Sequence, residues 1–310
     1  MYFPYFRGRQ YELLALKELA VGQLLSKSVV PVVEPIKLTS TFDGTLRAFA
    51  DEERKIAFIF NPAVGDFAGA ENFAEVFHTR VCSIDNVFPA LLMNKSTDKI
   101  LQFLAAKGIA QSNIAVILGK RDFLDMYKKC FAEIAPQYTL FPDERQIRRA
   151  VTHGRVMFED KFIKQDKNAD YEDVPDEFFS DDHLYFPTDG YVGFGDYSVV
   201  GDTFDEGGFA PRAVAIHIVY FDKDDIMRVR HFVSDSNMDI KDVAGKYYEA
   251  VTKLANWYYD DHQTQVTSAL STFINHYENG YYPGLPTIKK LSIMHHLELM
   301  SKYLDRGMAK

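Results

Sequence analysis

Through the first half of the chain, short unbroken apolar runs alternate with longer stretches whose apolar residues recur every three or four positions. The runs are Val29–Val33, leading into Glu34-Pro35-Ile36-Lys37, then Lys55–Phe60, Val87–Met93, Ile114–Leu118, Tyr138–Phe141 and Arg155–Phe158. Between or before them, Tyr11–Leu25, Leu46–Glu53, Asn72–Arg80, Thr97–Lys107, Arg121–Ile134 and Asp143–Ala150 carry helical spacing. Near-continuous apolar strands of about five residues, each followed by a helix, predict parallel pairing covered on both faces.

The alternation breaks between Lys161 and Pro187, where Asp166, Asp170, Glu172, Asp173, Asp176, Glu177, Asp181 and Asp182 surround Phe178 and Phe179. Residues 161–187 therefore read as an acidic surface insertion. Strand character resumes at Tyr191–Tyr197 and Ala213–Phe221, the seventh and eighth strands of this reading. Asp222–Asp225 turns the chain into Ile226–Val233, an added antiparallel strand. Helical spacing then covers Asp239–Tyr259, His262–Asn279 and Ile288–Leu304, so residues 239–310 are expected to pack on the barrel as helices. The predicted fold is a single α/β domain over 1–310, a TIM-barrel-like (β/α)8, decorated and irregular in its second half. An open doubly wound sheet is the rival, but no G-x-G-x-x-G follows a strand.

Composition narrows the function classes. The 310 residues carry 35 Lys and Arg against 44 Asp and Glu, a net charge of −9 that argues against a broad nucleic-acid footprint and leaves room only for a local groove. Cys82 and Cys130 are the only cysteines and have no C-x-x-C spacing, which disfavours a cysteine-held zinc and fits a reducing compartment. With Arg7 and Arg9 near the start, and no apolar run approaching about 18 residues, a cytoplasmic protein without a membrane span is expected.

In a (β/α)8 barrel, function collects where strands end and βα loops begin. Those ends offer Glu34, Lys37, Asn61, Asn94, Lys95, Lys120, Glu159, Asp160, Asp196 and His217. Glu34, Asp196 and His217 are the catalytic candidates. Lys37, Asn61, Asn94, Lys120, Glu159, Tyr197, Arg230 and His231 are the ligand-binding candidates. Glu34 and Asp196 with a histidine are donors that suit a divalent cation for phosphodiester hydrolysis, with Lys37 or Lys120 on the phosphate. No H-E-x-x-H, D-x-D or G-x-S-x-G accompanies them, and Gly193-Phe194-Gly195 is too short for a phosphate loop. His217 shares a strand face with Ala215 and Val219, as a core histidine also would, and His231 on the partner strand is expected close to it. Arg228 and Arg230 alternate there, fitting either an anion site or an exposed edge. Asp202–Gly208 lacks the order of a calcium loop and reads as a solvated connection.

The opening Tyr5-Phe6-Arg7-Gly8-Arg9-Gln10-Tyr11-Glu12, the Ala15-Leu16-Lys17-Glu18-Leu19 helix and Pro31-Val32-Val33-Glu34-Pro35 together resemble the start of the bacterial and phage "beta protein" family. Phe194-Gly195-Asp196-Tyr197 is similar to that family's Gly-Asp-Tyr element. The resemblance implies a barrel-like α/β fold over most of the chain, with Glu34 and Asp196 the best-matching polar positions. It also implies membership of paired-gene bacterial systems, in defence against phage, with a nuclease-like partner. Where the family has Arg-Tyr in the next strand, this chain has Ile216-His217-Ile218. The expected function is a non-catalytic or regulatory component of such a two-protein system. It binds its partner and a small anionic, nucleotide-like ligand at the barrel rim. The alternative is a metal-dependent phosphodiesterase or nuclease.

Overall fold

Eight parallel strands form one sheet in the computed structural model, which describes residues 1–70, 72–82, 84, 86–205 and 211–308. In chain order the elements are β1 (Tyr5–Phe6), α1 (Gln10–Val21), β2 (Val32–Val33), α2 (Ser40–Asp51), β3 (Ile56–Ile59), α3 (Phe73–Val81), β4 (Val87–Leu92) and α4 (Thr97–Ala106). Next come β5 (Ala115–Ile117), α5 (Leu124–Cys130), β6 (Tyr138–Phe141), α6 (Arg145–Ala150), β7 (Arg155–Phe158), β8 (Asp176–Ser180), α7 (Asp182–Tyr185) and β9 (Gly193–Gly195). The chain ends with β10 (Ala215–Phe221), β11 (Met227–Val233), α8 (Val243–Asp261), α9 (Ser268–Asn279) and α10 (Leu285–Met308). Two compact units result. The first holds Met1–Gln23, Lys27–Glu159 and Asp182–Tyr197; the second holds Leu24–Ser26, Asp160–Asp181 and the chain from Ser198 onward.

The first unit is the expected (β/α)8-like barrel, with strand order β1-β2-β3-β4-β5-β6-β7-β9. It closes where Tyr2 bridges Phe194: Phe194 N–H donates to Met1 O at 3.0 Å and Phe3 N–H to Phe194 O at 2.8 Å. Two glycines make that closure possible. A Cβ on Gly195 would sit 2.3 Å from Phe3 O, and one on Gly193 would sit 2.7 Å from Met1 O and 2.9 Å from the Phe3 ring. Gly-Phe-Gly is thus a close-approach device that gives Phe3 its place in the barrel. Phe3, Tyr5 and Phe158 fill the interior together with the small Ala57, Ala90 and Ala115, a large-with-small pattern that suits barrel layers.

Ala213–Phe221 is therefore not the eighth barrel strand. That place belongs to Tyr5–Phe6, a strand too short, and too close to Pro4, to register as an apolar run. Helix α2 also begins earlier than its apolar spacing suggests, because Thr39 Oγ1 accepts from Phe42 N–H at 3.3 Å and caps it at Ser40.

The second unit is built on an antiparallel sheet in the order β10-β11-β8. β8 lies within the acidic 161–187 stretch, and its Phe179 is only 1% exposed, so part of that run is sheet with a buried anchor. Alternation sends Ile216, Ile218 and Phe232 to one face, where Trp257 of α8 packs against Phe232. Val219 and Phe221 face the other way, toward α10, where Tyr303 meets Phe221. His295 of α10 donates from Nε2 to Val219 O and accepts at Nδ1 from Thr267, the N-cap of α9, each at 2.7 Å. One buried imidazole thereby ties α9, α10 and β10. Among the described residues no helix is long and apolar enough to cross a membrane.

Candidate functional site

Strand alternation decides what the barrel mouth contains. On β2, Val32 points inward, so Glu34 does too, at the C-terminal end of the strand. Its carboxylate is fully buried and accepts from Tyr5 OH at 2.7 Å, from the Ala63 backbone N–H at 2.6 Å and from the Arg7 guanidinium. Arg7 also lies 5.0 Å from the Tyr5 ring centroid and 5.5 Å from that of Tyr197. The Tyr197 ring packs on Tyr5 and Phe158. Burial and the adjacent Glu34 carboxylate push the Tyr5 phenol well above its ordinary range. Burial works against the Arg7 charge, but Tyr5, Glu34 and Tyr197 outweigh it and hold the guanidinium protonated. Glu34 and Tyr197 are therefore brought together by Tyr5 and Arg7, which read from sequence only as part of an aromatic-basic lead.

Asp196 belongs elsewhere. On β9 the inward positions are the glycines, so Phe194 and Asp196 face outward. Asp196 is 4% exposed and accepts from Tyr2 OH at 2.9 Å, and the Tyr2 ring stacks on Phe194. Burial, then Asp196, raises the Tyr2 phenol well above its usual value. Glu34 and Asp196 thus sit on opposite faces of the barrel wall, and His217 lies in the second unit. Glu34 and Asp196 therefore do not face one cation from the same side of the wall, and among the described residues no cluster of three or more His, Cys, Asp and Glu suits a metal ion.

The amide candidates do converge. Asn61 Nδ2 reaches Leu92 O at 2.8 Å and Asn94 Oδ1 at 3.2 Å, while Asn61 Oδ1 accepts from Leu92 N–H. Asn94 in turn accepts from Ser96, so the pair braces β3 against the β4–α4 loop. Glu159 accepts from the Asp143 N–H at 3.1 Å and holds the loop after β6. Lys37 and Lys120 are exposed, with Lys37 3.9 Å from Asp66. Lys95 and Arg121 are exposed as well. These cations follow the C-terminal ends of β2, β4 and β5, and so share the mouth with the Glu34 cluster.

In the second unit, His217 and His231 are directly opposed across β10 and β11, with Nδ1 to Nδ1 at 2.7 Å. Arg228 and Arg230 both pair with Asp176 of β8, at 2.6 and 3.2 Å, so they tie two strands together. Glu177, hidden in the acidic run, reaches His231 Nε2 at 3.0 Å. Sequence reasoning also missed Ser198, whose Oγ lies 2.9 Å from His296 Nδ1 at a positive φ of 51°. Both are fully buried, which makes the pair a core contact. From the Asp202–Gly208 loop, Glu206, Gly207 and Gly208 lie outside the described residues. No protein-family model, no curated protein and no solved structure matches this chain.

Proposed function

We propose that this chain is a non-catalytic or regulatory component of a two-protein bacterial system, of the anti-phage kind, that works in the cytoplasm. In this reading the barrel mouth takes a small anionic, nucleotide-like ligand, and the chain acts through a partner protein encoded beside it. The observation that carries the reading is the group of exposed cations Lys37, Lys95, Lys120 and Arg121 in the loops after β2, β4 and β5. They follow strand ends on the same side of the barrel as Glu34, a carboxylate already committed to Tyr5, Arg7 and the Ala63 backbone. A carboxylate whose acceptors are already taken, together with exposed cations at the same mouth, suits recognition of an anion, since long lysines reach a charged ligand that the acidic remainder of the chain repels. The resemblance to the "beta protein" family adds the partner. The metal-dependent phosphodiesterase reading is the weaker one, because Glu34 and Asp196 face opposite sides of the barrel wall.

Affinity purification from cells that express the tagged chain and its gene neighbour at native level tests the partner. The neighbour is expected to co-elute in near-equal amount; a chain that emerges alone at native expression overturns this half of the proposal.

A further inference from the structure

The contacts around His217 and His231 fix where their protons sit. A carboxylate only accepts, so the 3.0 Å contact with Glu177 Oε1 places the His231 proton on Nε2 and leaves a lone pair on its Nδ1. The 2.7 Å contact between the two Nδ1 atoms then needs a proton from His217 Nδ1. His217 Nε2 is left as the lone pair at the end of the chain Glu177–His231–His217. Among the described residues, no hydrogen bond to that nitrogen is formed, and His217 as a whole residue is half-buried.

The surroundings hold this arrangement in place. The Phe162 and Tyr171 rings meet His217 edge-on, with centroids 5.1 and 4.6 Å away. Tyr171 also packs on His231 at 4.6 Å. Of the charged groups, Glu177 and Asp176 of β8 favour a proton on His231, whereas His231 itself and Lys289 of α10 disfavour one on His217. Burial acts first, and lowers both rings below the ordinary histidine range. His217 is therefore a neutral imidazole at pH 7, its orientation and tautomer fixed by the contact with His231, which Glu177 fixes in turn. That is the arrangement a general base requires: an imidazole with one nitrogen free and the other held by a partner that is itself held by a carboxylate.

We infer that the second unit carries a site of its own, in which His217 Nε2 is the base that accepts a proton from the hydroxyl of water or an alcohol. In that step the ligand's O–H bond breaks, its oxygen keeps the electron pair, and an N–H bond forms at Nε2. His231 and Glu177 are positioning residues: they fix the His217 tautomer and aim its Nε2. The inference does not rest on the barrel mouth, and either can fail without the other.

Two readouts on the full chain test it. Long-range 1H–15N correlation at pH 7 reports the tautomers, and diethyl pyrocarbonate with peptide mass spectrometry reports a free Nε2. The expected result is His217 protonated on Nδ1, His231 protonated on Nε2, and carbethoxylation of His217 at Nε2. Glu177→Gln, which keeps the shape and removes the charge, should lower the His231 pKa further, by about a tenfold change in its protonation equilibrium, since Glu177 is the group that favours a proton there. If that variant fails to fold, the wild-type tautomers decide alone. A wild-type His217 protonated on Nε2, or one that the reagent reaches no faster than the buried His295 and His296, overturns the inference.

Discussion

The Tyr5 hydroxyl donates to the Glu34 carboxylate at 2.7 Å, and so joins the first strand of the barrel to the end of the second from inside. Arg7 adds its charge to the same oxygen, and the Ala63 N–H takes the other. Three segments of the mouth therefore converge on one fully buried carboxylate. Removing its charge should cost more than removing one donor. Glu34→Gln is expected to destabilise by about 2–4 kcal/mol, because it removes the counter-charge of the half-buried Arg7 and the charged acceptor of Tyr5 and Ala63. Tyr5→Phe should cost about 1.5–3 kcal/mol, the worth of a hydrogen bond to a charged group. Urea unfolding at pH 7 measures both, and a Glu34→Gln variant as stable as wild type would contradict the arrangement.

Barrel closure gives a sharper contrast between two glycines. In Gly195→Ala the new Cβ would press on Phe3 O, which is backbone and cannot swing aside. A loss of about 1–3 kcal/mol or more is expected. Gly119→Ala has nothing within 4 Å of its new methyl group and should change stability by less than about 0.5 kcal/mol. Chemical denaturation of the two variants side by side checks this.

Acid should weaken the fold through His295. Burial is the main cause that lowers its pKa to about 4, while in the unfolded chain it returns to an ordinary value near 6.5. Between those values the unfolded state binds the extra proton, so stability rises with pH. The contribution is complete above about pH 6.5 and is lost as pH falls toward 4, a swing on the order of 3 kcal/mol. His217 and His231, also lowered by burial, act in the same direction below about pH 6.5. Unfolding midpoints in urea measured from pH 7.5 to 4.5 should fall on the acid side, and His295→Asn should flatten the slope.

The two thiols should differ in reactivity. Cys82 is exposed, whereas burial and then the hydrogen bond to Asp98 push the Cys130 thiol up to about 11. Since the thiolate is the reacting form, Cys82 should be alkylated at least about tenfold faster at pH 8. Iodoacetamide labelling followed by peptide mass spectrometry reads the ratio.

Most of the barrel was legible because strands covered on both faces are apolar throughout, as Ile56–Ile59 and Ala115–Ile117 are. Tyr5–Phe6 was not, since a two-residue strand beside Pro4 has no periodicity to detect. Its absence let Ala213–Phe221, an equally apolar strand from another sheet, take the eighth place. The pairing of His217 with His231 could be anticipated, because a short turn fixes hairpin register. Glu177 could not, because an acidic run looks solvated until one of its residues meets a histidine. Glu34 and Asp196 both stand at strand ends, but which face each occupies depends on register, and there Gly193 and Gly195 decided the outcome.

The barrel mouth as an anion site is the central claim, and ligand-dependent thermal unfolding tests it most directly. Adenosine and guanosine mono- and triphosphates, with inorganic phosphate alongside, are titrated into wild type and into Lys95→Glu/Lys120→Glu. At a ligand concentration of about one hundred times Kd, binding should stabilise wild type by about 2.7 kcal/mol and raise its midpoint accordingly. The double variant should show no shift while keeping the wild-type midpoint without ligand. A wild-type midpoint that none of these anions moves, or a shift that survives in the double variant, would contradict the account.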